Sequence, residues 1–274
     1  MSSIIFINER GLIIIETIKQ IELTDKRLGD GKRPLICTPL VGKTQEVILS
    51  ETEKILAKQP DLLEWRVDFF EGISDTYAVI DLAKSIKQMA GDTPLIFTRR
   101  SFKEGGEPIS LSESEVVSLY SAICESRNAD IIDYELINTK EDINHLRNVS
   151  KEHGIKMIMS YHNFDCTPEV GTLNEKLIEA ERMQADIAKI AVMPNHLEDV
   201  LTLLRVTLDA KQKLKIPVIT MSMGAYGSLT RMFGGAFGSA VTFAVGENSS
   251  APGQVPIEDM KTVLAILQRA IDEK

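Results

Sequence analysis

The chain has 274 residues, of which 43% are hydrophobic and 26% are charged, a composition typical of a globular protein and not of a disordered one. Acidic residues outnumber basic residues by 40 to 31, and the net charge of −9 argues against a nucleic-acid-binding surface or a basic membrane anchor. No apolar run approaches the ~20 residues of a membrane-spanning helix.

The first predicted elements are two short apolar runs, residues 4–8 and 12–16, joined by Glu9-Arg10-Gly11. Two such runs on either side of a polar turn that contains glycine predict a β-hairpin. No basic region precedes them and no cleavage site is visible, so we interpret this segment as structure and not as a signal peptide.

Beyond the hairpin, eight β-rich apolar runs alternate with amphipathic helical stretches. The runs are residues 35–40, 62–68, 95–100, 131–136, 157–162, 186–193, 217–223 and 239–245. Capping-box spacing at Ser112, Thr172 and Asn195 predicts helix starts, and Pro256 suits a first helical position. Eight strands and eight helices predict a closed (β/α)8 TIM barrel that forms a single domain over residues 1–274.

An open doubly wound sheet is the alternative architecture. It requires a glycine-rich turn of the GxGxxG type after the first strand, and residues 35–42 contain none. We therefore favour the barrel, with residues 1–33 as an N-terminal extension packed on it and the hairpin closing its lower end.

The second strand, residues 62–68, alternates in polarity. Glu64, Arg66 and Asp68 face one way, and the apolar residues between them face the other. In a barrel the polar set belongs in the lumen. A glutamate and an arginine two positions apart on a strand form either a structural ion pair or a set that holds substrate hydroxyls, and this strand alone does not decide between them.

Polar side chains also mark the next three strands, at the carboxyl ends where barrel enzymes carry their active sites. Strand three ends in Arg100 and leads into a loop with Glu104, and strand four carries Asp133 and Glu135 on one face. Strand five ends in His162, the only one of the four histidines placed for proton transfer. Because buried charge is costly unless it is paired, their convergence on one rim indicates a functional site.

Lys189 lies in the middle of the sixth run, between Ala188 and Ile190. Lysine is almost never fully buried without a partner or a function, and burial lowers the pKa of an amine because the ammonium loses its hydration. A neutral amine is the form that adds to a carbonyl carbon. The alternative is a lysine near a strand end whose amine reaches solvent.

Two further features follow strands seven and eight. Arg231 lies beyond a glycine-rich stretch, where its guanidinium could bind a carboxylate through two parallel hydrogen bonds. Residues 246–254 are small and polar, which is typical either of a lid that closes over a substrate or of a plain exposed loop.

The three cysteines, Cys37, Cys124 and Cys166, are widely spaced and form no CxxC motif. No His, Cys and Asp spacing matches a structural metal site, and one lumenal histidine is too few for a zinc hydrolase. We expect a reduced, cytoplasmic protein that holds no metal.

Seven segments, in this order, resemble the type I 3-dehydroquinate dehydratase (3-dehydroquinase) family of Schiff-base enzymes. They are Glu64-Trp65-Arg66-Val67-Asp68, Thr98-Arg99-Arg100-Ser101 with Glu104-Gly105-Gly106-Glu107, Asp133-Tyr134-Glu135, Ser160-Tyr161-His162-Asn163-Phe164, Lys189-Ile190-Ala191, Arg231 and Ser250-Ala251-Pro252-Gly253-Gln254. The resemblance implies a (β/α)8 barrel with an N-terminal hairpin, commonly assembled as a homodimer.

The resemblance also implies a reaction, the dehydration of 3-dehydroquinate to 3-dehydroshikimate through an imine, without metal or organic cofactor. This is the third step of the shikimate pathway to chorismate and the aromatic amino acids. Lys189 is similar to the lysine that forms the imine, His162 to the general acid/base, and Glu104 to its carboxylate partner. Arg231 resembles the arginine that binds the substrate carboxylate. Five more positions match contacts to substrate or lid: Glu64, Arg66, Arg100, Ser250 and Gln254.

One segment departs from the family. The first strand ends in Thr38-Pro39-Leu40, where some members place a serine near the substrate, so the contribution of this strand end stays unassigned. The sequence also leaves open whether the enzyme serves biosynthesis or quinate breakdown, because both use the same step.

Two other functions remain as alternatives. A class I aldolase also uses a strand lysine for imine chemistry, but many such enzymes act on phosphorylated sugars, and no convincing phosphate-binding loop follows strands seven and eight. A non-catalytic barrel that binds an anionic metabolite or a protein partner predicts a lysine of ordinary basicity.

Overall fold

A computed structural model describes residues 3–7, 13–17, 20–24, 26–29 and 33–272 of the chain. Four short strands come first and form two antiparallel pairs: β1 (Ser3–Ile7) with β2 (Ile13–Thr17), and β3 (Ile21–Leu23) with β4 (Lys26–Leu28). The pairing of β1 with β2 confirms the hairpin predicted over residues 4–16. Its predicted position at the lower end of the barrel depends on side chains outside the described residues.

Eight parallel strands follow and pair with one another in chain order. They are β5 (Leu35–Leu40), β6 (Leu62–Arg66), β7 (Leu95–Thr98), β8 (Ile131–Glu135), β9 (Lys156–Asn163), β10 (Ile187–Val192), β11 (Val218–Ser222) and β12 (Val241–Val245). β12 pairs with β5, and a parallel bridge between Val218 and Ser239 joins β11 to β12 and closes the barrel. A short strand, β13 (Val255–Pro256), extends β12. The predicted (β/α)8 barrel is confirmed, and all eight runs are strands.

Eight helices lie between and after the barrel strands in the described residues. They are α1 (Gln45–Ala57), α2 (Thr76–Ala90), α3 (Glu113–Ser126), α4 (Lys140–Glu152), α5 (Val170–Arg182), α6 (Leu197–Lys213), α7 (Gly224–Phe237) and α8 (Ile257–Asp272). Short 3-10 helices follow β6 (Val67–Phe69) and β7 (Phe102–Glu104). Within these described ranges no helix is both long and apolar enough to cross a membrane.

The helix starts test the predicted caps. Ser112 caps α3 in a complete capping box with Glu115, as predicted. The prediction at Thr172 is wrong, because α5 begins at Val170. At α6 the cap lies one residue later than predicted, since Asp199 accepts the backbone N–H groups of Asn195 and His196.

The barrel lumen is built in layers, as expected for this fold. The lower layer is apolar and includes Leu62, Ile96, Ile131, Ile158 and Ile187, one from each of β6 to β10. The β3–β4 hairpin covers this layer from below, because its Ile21, Leu23 and Leu28 are buried in the same cluster. The described hairpin that packs into the barrel is therefore β3–β4, which the sequence patterns did not single out.

Two residues further along each of these five strands, the lumen becomes polar. The side chains of this upper layer are Glu64, Thr98, Asp133, Ser160 and Lys189, and all are buried. The other three strands stay apolar at the same level, with Met221 on β11, Phe243 on β12 and Cys37 on β5. The polar groups of the lumen therefore gather on one side of its carboxyl end.

Candidate active site

Lys189 lies at the centre of the upper layer, and only 4% of its surface is exposed. Its Nζ lies 2.7 Å from Oδ2 of Asp133 and 3.4 Å from Oε1 of Glu64. The ring of Phe243 lies 4.7 Å from the same nitrogen. Lys189 is buried as predicted, and its two carboxylate neighbours are partners that the sequence patterns did not identify.

Asp133 connects Lys189 to Arg100. Oδ1 of Asp133 lies 2.9 Å from Nη2 of Arg100 and accepts a hydrogen bond of 2.6 Å from Oγ of Ser160. Burial raises the pKa of Asp133, but the charges of Arg100 and Lys189 outweigh burial and hold that pKa well below its ordinary value. Asp133 is therefore a permanent anion beside the amine. The sequence patterns placed it on the lumenal face but gave it no role.

Arg100 lies in the wall of the site, with most of its donors already used. Nη1 donates to Oε1 of Glu135 and to Oγ of Ser160, both at 2.9 Å, in addition to the bond with Asp133. Burial lowers the pKa of Arg100, and the surrounding carboxylates raise it well above its ordinary value. The predicted site residue is present, and in this arrangement its guanidinium orders three acceptors of the protein.

His162 and Glu104 form a pair at the edge of the lumen. Nδ1 of His162 lies 2.8 Å from Oε2 of Glu104, which also accepts the backbone N–H of His162 at 3.0 Å. The loop reaches this position because Gly106 lacks a side chain, whose Cβ would lie 2.0 Å from the carbonyl oxygen of Arg100. Glu104 thus fixes the histidine from two sides, while Nε2 has no hydrogen-bond partner among the described residues.

The electrostatics of this pair favour neutral forms. Burial, followed by the charges of Arg100 and Lys189, lowers the pKa of His162 well below its ordinary value. Burial and the nearby carboxylate of Glu135 raise the pKa of Glu104 to about 8. At neutral pH, His162 is therefore an imidazole that can accept a proton at Nε2.

Arg231, on α7, is a buried cation without a carboxylate partner in the described residues. Only 1% of its surface is exposed, and burial lowers its pKa to about 10. Nη2 donates to the carbonyl oxygen of Pro252 at 3.2 Å, and Nη1 donates to that of Phe243 at 3.4 Å. Nε is buried without any acceptor. An anion that enters the lumen would supply the negative charge that balances this guanidinium.

The loop after β12 covers the opening of the lumen. Gln254 donates to Oγ of Ser250 at 3.1 Å, and the carbonyl oxygen of Ser250 lies 3.4 Å from Nη1 of Arg66. Arg66 is held in turn by two hydrogen bonds of 2.8 and 2.7 Å to Asp68. The loop therefore packs over the lumen, and its closure over a substrate stays a prediction.

A single pocket collects these residues. Its empty volume is about 430 Å³, which includes solvent at the open mouth. All nine residues predicted for the site line it: Lys189, His162, Glu104, Glu64, Arg66, Arg100, Arg231, Ser250 and Gln254. Met221, Met223 and Phe243 form the apolar wall. In the part of the chain that the structure describes, no cluster of three His, Cys, Asp or Glu side chains could hold a metal ion.

A buried lysine, a histidine–glutamate pair and an arginine without a carboxylate partner thus line one pocket in the described residues. The type I 3-dehydroquinase family model matches residues 36–271. The chain belongs to the type I 3-dehydroquinase family. It is therefore an enzyme, a lyase of the shikimate pathway, and the family predicted from the seven sequence segments is confirmed.

Named members of the 3-dehydroquinase family support this. The chain is 55% identical to the 3-dehydroquinate dehydratase of Albidiferax ferrireducens over 259 residues, which are 94% of this chain and 98% of the relative. Its structure is similar to the crystal structure of the Geobacillus kaustophilus enzyme, with 49% identity and a TM-score of 0.90 over 92% of this chain and 97% of that one. A Clostridium difficile type I enzyme, crystallised with covalently modified comenic acid, has 34% identity and a TM-score of 0.89 over 93% and 100%.

Proposed function

We propose that this chain removes water from 3-dehydroquinate to give 3-dehydroshikimate, through an imine between the substrate ketone and Lys189. The observation that carries the proposal is the Lys189 amine, which lies buried at the end of a closed lumen, in one pocket with His162 and Arg231. The 3-dehydroquinate dehydratase that is 55% identical to this chain supports the substrate.

Binding begins with charge. Arg231 provides a buried guanidinium whose Nε has no acceptor, so it binds the substrate carboxylate without breaking an internal ion pair. The hydroxyl groups of the ring then face Glu64, Arg66, Ser250 and Gln254, which offer both donors and acceptors. The carboxylate at one end and the amine at the other fix the direction in which the ring lies.

Imine formation follows at Lys189. Lys189 passes one proton to Glu64, and the amine adds to the ketone carbon to give a carbinolamine. Glu64 returns the proton to the carbinolamine hydroxyl, which leaves as water, and a protonated imine remains. The positive charge is then on the nitrogen that faces Asp133 at 2.7 Å in the free enzyme. Asp133 therefore stabilises the cation before and after the carbon–nitrogen bond forms.

Elimination needs a base and then an acid. Neutral His162 takes the proton next to the imine carbon, and the electron pair moves into an enamine. The enamine then expels the β-hydroxyl group, which leaves as water with the proton that His162 returns. Hydrolysis of the conjugated imine releases the enone and restores Lys189. Over the whole cycle the atoms balance with one water lost.

The proposed function is tested by adding dehydroquinate to the purified chain and following the absorbance of the enone. Borohydride added during turnover should fix a stable mass on the peptide that contains Lys189. Lys189→Arg is the matched control, because it keeps the charge beside Asp133 and cannot form the imine. No enone, or an adduct on another peptide, would overturn the proposal.

The aldolase alternative gains no support from the family match, because the matched family is that of type I 3-dehydroquinases. A borohydride adduct would also contradict the non-catalytic alternative. We further propose a cytoplasmic homodimer as the working form, on the strength of the family resemblance alone. Light scattering on the purified chain tests the dimer, and a monomeric mass at micromolar concentration would contradict it.

A further inference from the structure

The hydroxyl group of Tyr120 lies between two barrel strands at the rim of the site. Tyr120 is a fully buried residue of α3. Its Oη accepts the backbone N–H of Arg99 and donates to the carbonyl oxygen of Asp133, both at 2.7 Å. The regular pairing of β7 with β8 ends one step earlier, at Thr98 and Asp133. The tyrosine therefore bridges the two strands at the point where their pairing stops.

The ring that carries this hydroxyl has little freedom to move. Phe97 and Tyr134 lie on either side of it, in edge-to-face contacts with centroid distances of 5.2 and 5.4 Å. These rings lie under the helices, on the outer face of the sheet. The oxygen thus has a fixed position that the surrounding core determines, and it imposes this position on both strands.

The lumenal side of the same two strand ends carries the charged groups of the site. Arg100 follows Arg99 directly, and its Nη2 lies 2.9 Å from Oδ1 of Asp133. Oδ2 of Asp133 lies 2.7 Å from Nζ of Lys189. A change in the separation of these backbones would displace the arginine and the carboxylate together relative to the amine.

We propose that Tyr120 is a positioning residue, whose hydroxyl sets the separation of β7 and β8 and so places Asp133 against Lys189. This inference rests on the proposed function, since it assigns Tyr120 to the imine step. The N–H of Arg99 and the carbonyl of Asp133 both bond to this oxygen, so without it the strands either draw together or leave both groups unsatisfied. A displacement of ~1 Å near reacting groups can cost about 100-fold in rate.

The test compares Tyr120→Phe with Tyr134→Phe. Tyr134 is the matched control, because it is a buried neighbour on the same outer face, and its hydroxyl donates at 2.8 Å to Glu113, away from Lys189. We expect Tyr120→Phe to lower kcat by about 10- to 100-fold, with KM little changed because Arg231 is untouched. The rate of borohydride trapping at Lys189 should fall in parallel. Tyr134→Phe should retain kcat, KM and the trapping rate.

Equal kcat in the two variants would overturn the inference, as would a loss in Tyr120→Phe that appears in KM alone. Amide hydrogen exchange of Arg99 in the unaltered protein gives a measurement that does not depend on how a variant folds, and fast exchange there would also overturn it. If the unaltered chain produces no enone, the proposed function itself fails. The two failures are therefore distinguishable.

Discussion

In the lower half of the barrel lumen, strands β6 to β10 contribute aliphatic side chains, and two residues further along they contribute a glutamate, a threonine, an aspartate, a serine and a lysine. Both layers are equally buried. The lower layer gains free energy by leaving water, whereas the upper layer is held together by ion pairs and hydrogen bonds that offset the cost of burying charge. The same strands thus stabilise the fold through the lower layer and provide the reactive groups of the site through the upper layer.

Lys189→Ala should have the largest effect on activity. Turnover should be abolished, because the covalent route through the imine is lost. The fold should persist, since Asp133 keeps its bonds to Arg100 and Ser160. Enone formation and circular dichroism check both halves of this expectation. If Lys189→Ala retained full activity, Lys189 would have no role in the mechanism.

His162→Ala should come next, with a loss of about 10²- to 10⁴-fold in kcat while adducts with Lys189 still form. The pH dependence sharpens this prediction. An imidazole acts as a base only above its pKa, and the pKa of His162 is lowered well below 6.5 by burial and by the charges of Arg100 and Lys189. The acid limb of kcat/KM should therefore lie below pH 6.5, and a limb at or above that pH would contradict the assignment.

Arg231→Ala should act on substrate binding more than on the chemical step. Hydrogen bonds to charged groups contribute about 1.5–3 kcal/mol, so KM should rise by about 10- to 100-fold. Arg231→Lys keeps the charge but not the paired donors. Its KM should lie between that of the unaltered chain and that of Arg231→Ala. An Arg231→Ala variant with unaltered affinity for the substrate would refute the role of this arginine.

Ile131→Ala should have the smallest effect on activity and tests the role of the lower, apolar layer of the lumen. Ile131 lies on β8, two residues before Asp133, and is fully buried in the lower layer. Removing its side chain should lower the free energy of unfolding by about 2–5 kcal/mol while kcat at moderate temperature stays near that of the unaltered chain. Denaturant titration and the enone assay measure the two quantities. A large loss of kcat without a loss of stability would contradict the assignment of stability to the lower layer and of catalysis to the upper layer.

Strand periodicity predicts the site residues that lie on the strands, because it determines which side chains enter a lumen. Ser250 and Gln254 lie in a loop and are predicted only from the family resemblance. Glu64 and Arg66 alternate with apolar residues, and Lys189 interrupts an apolar run, so both signals are local. The contacts between site residues that are far apart in the sequence are not predicted in this way. Asp133 lies 56 residues from Lys189, and nothing near either residue indicates that Oδ2 and Nζ will meet.

Other misses have a similar physical origin. Tyr120 is one apolar-facing residue of an amphipathic helix, and its pattern does not show that its hydroxyl reaches two strands. The closing role of the β3–β4 hairpin depends on Ile21, Leu23 and Leu28, which are too few to form a recognisable run. The cap at Thr172 failed because α5 begins two residues earlier, without any side-chain cap at Glu169.

The loop over the lumen has a consequence for affinity. Backbone carbonyl oxygens of Ser250 and Pro252 already accept hydrogen bonds from Arg66 and Arg231. An anion that binds Arg231 competes with the carbonyl oxygen of Pro252 for Nη2, so its net gain at that donor is the difference between a charged acceptor and a neutral one. The loop therefore acts as an internal competitor that lowers the affinity of Arg231 for an anion.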